Sequence, residues 1–178
     1  MNKYFKTALF LALPLAFLLG CSKQSSTTSS SSSTPDTTEV KTSESSTTEK
    51  KSELKTATFV NDSQPGVVST LTYTVDGDNV VKQTAHNVAD PEVLNNTADA
   101  VKSILEETYK GYKGLKGVTF SIEVKDGKVV QDLEIDLSVA SIDELRKALP
   151  EEYSGVGKNV SFKASKKMLT DLGYTEKN

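Results

Sequence analysis

The stretch Val118-Thr119-Phe120-Ser121-Ile122-Glu123-Val124-Lys125-Asp126-Gly127-Lys128-Val129-Val130-Gln131-Asp132-Leu133-Glu134-Ile135-Asp136-Leu137 alternates apolar and polar residues on both sides of Asp126-Gly127. Alternation with period two sends successive side chains to opposite faces of a strand. Asp-Gly between two such runs is a favoured two-residue type I′ turn. A two-residue loop pairs Lys125 with Lys128, so the numbers of every opposed pair sum to 253. Val118 then opposes Ile135, Phe120 opposes Leu133 and Val124 opposes Val129. These apolar pairs share one face, as a correct register requires. The hairpin commits the chain to an antiparallel sheet.

The same patterns extend outward from it. Thr56 to Val60 reads as a short first strand, and Val67, Leu71, Tyr73 and Val75 alternate with Thr70, Thr72 and Thr74. Asp76-Gly77-Asp78-Asn79 is a turn, and Val80 to Val88 returns as the partner strand, with either Val80 or Val81 facing inward. Ala98, Val101, Ile104, Leu105, Tyr109 and Tyr112 follow helical spacing, with Asn96 or Thr97 as the N-cap. Ser141-Ile142-Asp143-Glu144 is a capping box; its helix carries Ile142, Leu145, Ala148 and Leu149 on one stripe and stops at Pro150. Ser165 opens a last short helix with Met168, Leu169 and Leu172, closed by Gly173. The expected class is α+β, an antiparallel β-sheet built from hairpins with about three α-helices covering one face.

The N-terminus has a different character. Lys3 and Lys6 precede Ala8 to Leu19, an apolar run of twelve residues with Pro14 inside it, and then Gly20 and Cys21. Crossing a bilayer as a helix takes about 20 apolar residues, so the run fits a cleaved export signal better than a transmembrane helix. Leu18-Leu19-Gly20-Cys21 resembles a bacterial lipobox, which implies cleavage between Gly20 and Cys21 and a diacylglyceryl thioether on Cys21. Two acyl chains anchor stably where one does not. The expected location is the extracytoplasmic face of the cell membrane, held by the N-terminal lipid. Cys21 is the only cysteine, so the rest of the chain offers no disulfide, cysteine nucleophile or thiolate metal site.

Residues 22 to 53 hold 20 Ser or Thr among 32 positions, a composition that cannot bury enough apolar surface to fold. As a coil such a tether has its ends roughly 30 Å apart. The expected organisation is a signal peptide over 1–20, the lipidated cysteine and tether over 21–53, and one globular domain over 54–178. That domain carries 15 Lys+Arg and 19 Asp+Glu, a net charge of −4, which argues against nucleic acid as a partner.

Three segments carry a family resemblance. The strand-turn-strand from Thr72 to Thr84, the helix-to-strand junction Tyr112-Lys113-Gly114-Leu115-Lys116-Gly117-Val118 and the ending Ser161 to Tyr174 are similar to those of the YehR-like lipoproteins. These are small bacterial lipid-anchored α+β domains without an established biochemical function. The resemblance spans roughly Thr56 to Tyr174. It implies the fold and the membrane location, carries over Cys21 alone as a functional residue, and supplies no catalytic residues and no cofactor.

The residues themselves favour binding over catalysis. His86 is the sole histidine, no Gly-x-Ser-x-Gly elbow accompanies it, and a histidine-cysteine metal site is excluded. Asp132, Glu134 and Asp136 lie on one strand face, ~6.6–6.8 Å apart, too far to converge on a metal ion unaided. The alternative function is a cell-envelope hydrolase using carboxylates such as Glu123, Asp132 or Glu134. The main surface candidate is the tandem Tyr109-Lys110-Gly111-Tyr112-Lys113-Gly114-Leu115-Lys116-Gly117. Read as a ligand surface, Tyr109, Lys110, Tyr112, Lys113 and Lys116 would present a basic, aromatic-edged patch to an anionic envelope polymer or lipid. The leading expectation is a lipid-anchored binding or accessory domain.

Overall fold

A computed structural model describes residues 53–177; the expected signal peptide over 1–20, the cleavage and lipidation residues Gly20 and Cys21, and the expected tether as far as Ser52 lie outside the described residues. The chain runs β1 (Lys55–Asn61), β2 (Val67–Asp76), β3 (Asn79–Ala89), α1 (Ala98–Thr108), a 3₁₀ turn (Lys110–Tyr112), β4 (Val118–Lys125), β5 (Lys128–Asp136), α2 (Ile142–Ala148), α3 (Pro150–Tyr153), α4 (Phe162–Asp171) and β6 (Thr175–Lys177). The six strands form one antiparallel sheet in the order β4-β5-β3-β2-β1-β6. The class is α+β, as its sequence patterning indicates.

The β4–β5 hairpin has the expected register, with Val118 opposite Ile135, Phe120 opposite Leu133 and Val124 opposite Val129. Asp126 and Gly127 both take positive φ, 50° and 76°, the signature of a type I′ turn. The β2–β3 hairpin settles the choice between Val80 and Val81 with a β-bulge. Thr74 pairs with Lys82 and Val75 with Val80, leaving Val81 as the extra residue. The bulge shifts the pleat by one, so Val80 and Gln83 both face inward, 1 % exposed each.

One face of the sheet is covered. Phe59, Leu71, Tyr73, Leu133 and Ile135 form a continuous core with Val101 and Leu105 of α1, Leu145 of α2, Tyr153 of α3 and Leu169 of α4. Burying each such side chain contributes about 1.5–3 kcal/mol. The opposite face is open and rich in threonine: Thr56, Thr58, Thr70, Thr72, Thr74 and Thr84 fall on it by register. Thr is β-branched and suits a pleated, half-wet surface.

Several boundaries differ from the sequence expectation for physical reasons. Thr97, not Asn96, caps α1 by accepting from the Ala100 amide. That helix ends at Thr108, and the 3₁₀ turn carries Tyr112 inward instead of a further α turn. Ile104 stands on the outer side of α1, 36 % exposed. The helix opened by Ser141 does stop before Pro150, with Leu149 as its C-cap, but Pro150 itself opens α3 at the first helical position, where its missing N–H costs nothing. The last helix begins at Phe162, with Ser161 rather than Ser165 as its cap. Gly173 closes it at φ +86°.

Candidate functional site

The Lys-Gly tandem is held by its aromatic residues. Tyr109 lies four residues after Leu105, on the buried stripe of α1, and is 4 % exposed; Tyr112 is 0 % exposed. Their rings stack with centroids 6.3 Å apart, and Tyr112 packs on Phe120 at 5.8 Å and edge-on against Tyr153 at 6.5 Å. The expected aromatic-edged surface is therefore corrected: both tyrosines belong to the core, because the spacing of α1 carries Tyr109 and the 3₁₀ turn carries Tyr112 to the sheet side. Lys110, Lys113 and Lys116 remain exposed. Lys110 is ion-paired with Glu107, whereas Lys113 and Lys116 make no ion pair among the described residues.

Two glycines fix this loop. A Cβ on Gly111 would stand 2.6 Å from the Ala148 carbonyl oxygen, so only glycine lets the 3₁₀ turn lie against the end of α2. Gly117 takes φ +73° and would also clash, 2.7 Å from the Ala140 amide; its carbonyl accepts from the Asp136 amide at 2.8 Å. The loop is thus rigid at both ends. It is also placed at a definite end of the sheet. Val118, Ile135, Gln83, Tyr73 and Ala57 form one transverse row, so the loop shares its end with Lys55, where the first strand begins.

Behind the loop lies a half-buried carboxylate of unusual character. Tyr112 donates its hydroxyl hydrogen bond to Glu152 Oε2 at 2.6 Å and lies 3.2 Å from the Tyr153 hydroxyl. Desolvation raises Glu152 from 4.5 to about 7, and the neighbouring Glu151 charge adds to the rise while the Tyr112 hydrogen bond opposes it. Burial likewise pushes both tyrosine hydroxyls far above the ordinary phenol value. This carboxylate escaped the sequence reading because its depth is set by the 3₁₀ turn and α3, neither of which has a periodic signature.

The other sequence candidates are dispersed over the open face. Asp132 is opposite Ser121 and Glu134 opposite Thr119, as the pair sum requires. Asp132 Oδ1 lies 2.7 Å from His86 Nδ1, Glu134 pairs with Lys82 at 2.8 Å, Glu123 with Lys125 at 2.9 Å, and Asp136 accepts from Ser138. Each carboxylate thus engages its own neighbour, and the structure does not bring them together as an acid-base pair.

Residues 55–175 match the family described as "Protein of unknown function (DUF1307)". The chain belongs to this family. Among its relatives, an uncharacterized lipoprotein of Listeria innocua is 39 % identical over 116 residues, covering 64 % of this chain and 76 % of the relative. An uncharacterized lipoprotein of Listeria monocytogenes is 39 % identical over 117 residues, with the same coverage of 64 % and 76 %. The NMR structure of Escherichia coli YehR superposes with a TM-score of 0.56 at 19 % identity, covering 71 % of this chain and 92 % of that one. At that identity the likeness shows the fold, and it bears out the YehR-like resemblance of the DUF1307 region.

Proposed function

We propose that this chain is a lipid-anchored, extracytoplasmic binding or accessory protein whose Lys110, Lys113 and Lys116 loop engages an anionic envelope surface. The observation that carries this is the arrangement of the loop. Three lysines are exposed while the intervening tyrosines are buried, and the loop stands at the sheet end where the domain begins at Lys55. An ammonium group is a strong point-charge partner for phosphate oxygens. A rigid loop presents such groups without a large ordering cost. The apolar run ending in Gly20-Cys21 and the lipoprotein names of the Listeria relatives support the anchor. Lipid headgroups and phosphate-bearing wall polymers share the chemistry the lysines select.

The test has two arms. In cells, the signal-cleaved form of Cys21→Ala leaves the membrane fraction; full retention of the signal-cleaved protein would remove the anchor from the account. In vitro, the chain starting at position 21 with Cys21→Ser is sedimented with phosphatidylglycerol-containing vesicles, with pure phosphatidylcholine vesicles, and with a soluble poly(glycerol phosphate). Each lysine near an anionic surface contributes about 1 kcal/mol. Replacing all three by Gln should therefore weaken binding by roughly two orders of magnitude, and added salt should weaken the unaltered protein. Equal binding to neutral vesicles, or no effect of the triple change, would refute the lysine surface.

A further inference from the structure

The covered face of the sheet carries a transverse row that is polar at four of its five positions where the rows beside it are apolar. Across β4, β5, β3, β2 and β1 it reads Ile122, Gln131, Asn87, Ser69 and Asn61. On one side lie Val124, Val129, Ala89 and Val67; on the other lie Phe120, Leu133, Ala85, Leu71 and Phe59. Ser69, Asn87 and Gln131 are 7, 4 and 0 % exposed. Asn87 Nδ2 donates to Gln131 Oε1 at 3.1 Å, yet Gln131 Nε2 has no hydrogen-bond partner among the described residues. A buried donor left unpaired costs about 1–3 kcal/mol, and apolar residues of similar shape would remove that cost. Stability alone does not account for the row.

The row opens at its β1–β2 end. There the loop 62–66 and the segment after α4 enclose a pocket of ≈ 280 Å³, with Asn61, Ser63, Gln64, Ser69, Leu172 and Tyr174 in its wall. No residue lining it carries a charge. Its wall is pre-formed: Asn61 Nδ2 donates to the Leu172 carbonyl at 3.1 Å, and Asn61 Oδ1 accepts from the Ser63 amide at 2.9 Å and its hydroxyl at 2.6 Å. Tyr174 hydrogen-bonds to Ser69, and burial raises its phenol above the ordinary value, so it stays a neutral donor. Leu172, 48 % exposed, leaves an apolar lip. Ser69 in the wall is the cross-strand neighbour of Asn87, which leads inward to Gln131.

We propose that this pocket binds a single uncharged sugar residue. Hydroxyl and amide groups of the wall match the alternating donors and acceptors of a sugar edge, and Leu172 offers apolar surface to its C–H face. The uncharged wall has no counter-ion for a phosphate, carboxylate or ammonium, whose desolvation would go uncompensated. The volume lies at the lower edge of ligand pockets, about 300–1,000 Å³, which restricts the occupant to one ring. This site is at the opposite sheet end from the lysine loop and does not depend on the anionic-surface proposal.

The test is an NMR titration of the chain starting at position 21 with Cys21→Ser. Glucose and N-acetylglucosamine are compared with glucosamine and glucuronate, in buffer without vesicles or polyanions. A neutral sugar should shift the side-chain amides of Asn61 and Gln64 and the backbone amides of Ser63, Ser69 and Tyr174 in a saturable way. The charged sugars should bind about tenfold more weakly or worse. Ser69→Val should abolish the shifts, and Gln64→Ala on the outer loop should weaken them several-fold in a chain whose other resonances stay in place. No saturable shift at the pocket with either neutral sugar at tens of millimolar would overturn the proposal. So would equal response to the charged sugars, or unchanged binding in the Gln64→Ala chain. Because no anionic surface is present, failure here leaves the lysine loop standing.

Discussion

Glu152 shows how much one residue's setting governs its chemistry. Its carboxyl is shared between Tyr112 of the 3₁₀ turn and the wall of α3, and burial lifts it from 4.5 to about 7. Below pH 4.5 both folded and unfolded chains hold the proton, and the residue's contribution to stability is fully present. Between pH 4.5 and about 7 only the unfolded chain releases it, so stability falls as pH rises, and above about 7 the loss is complete. The loss has a ceiling of about 3 kcal/mol. Glu152→Gln keeps an acceptor for Tyr112 and removes the titration. The variant should melt with the unaltered protein at pH 4.5 and above it at pH 8. Parallel pH dependence of the two proteins would show that Glu152 is not held protonated. Nothing local in Pro150-Glu151-Glu152-Tyr153 announces this, since the desolvation comes from segments distant in sequence. By contrast Gln131 and Ser69 were legible in principle, as polar residues on the inward phase of strands whose other inward residues are apolar.

Among the elements, α4 depends most on a long-range contact. Asp78, in the β2–β3 turn, accepts from the Lys163 amide at 2.7 Å and from the Ser161 hydroxyl at 2.8 Å; its carbonyl accepts from the Phe162 amide at 2.7 Å. The two bonds to the carboxylate, led by that from the Lys163 amide, hold its carboxyl below the usual carboxylate range. They are present at neutral pH and are lost as acid protonates the group. Asp78→Ala should therefore speed amide hydrogen exchange through the first turn of α4 while leaving β4 and β5 protected. Unchanged exchange in α4 would show that Ser161 caps the helix alone. This latch is why Ser161 and not Ser165 opens the helix, and local sequence does not carry it: the deciding partner lies 83 residues away. The β4–β5 hairpin was fully legible because turn and register are local. β6 was not, since Thr175, Glu176 and Lys177 are all exposed and become a strand only by pairing with β1.

At the scale of the whole molecule the two proposed sites lie at opposite ends of the strands, separated along the strand direction by the length of β1, about 20 Å for seven residues. At one end the domain begins at Lys55 and the lysine loop is fixed by Gly111, Gly117 and the buried tyrosines. At the other, the loop 62–66 frames the uncharged pocket. Fold class and sheet polarity could be read from alternation alone, but the identity of each end could not, because it follows from strand order. The most direct measurement is a residue-by-residue map of NMR line broadening for the Cys21→Ser chain on phosphatidylglycerol nanodiscs, with phosphatidylcholine nanodiscs as control. Broadening centred on Lys110, Lys113 and Lys116, seen only with the anionic discs and with residues 62–66 left sharp, is the predicted result. Broadening centred on residues 62–66, or equal with both lipids, would contradict the account.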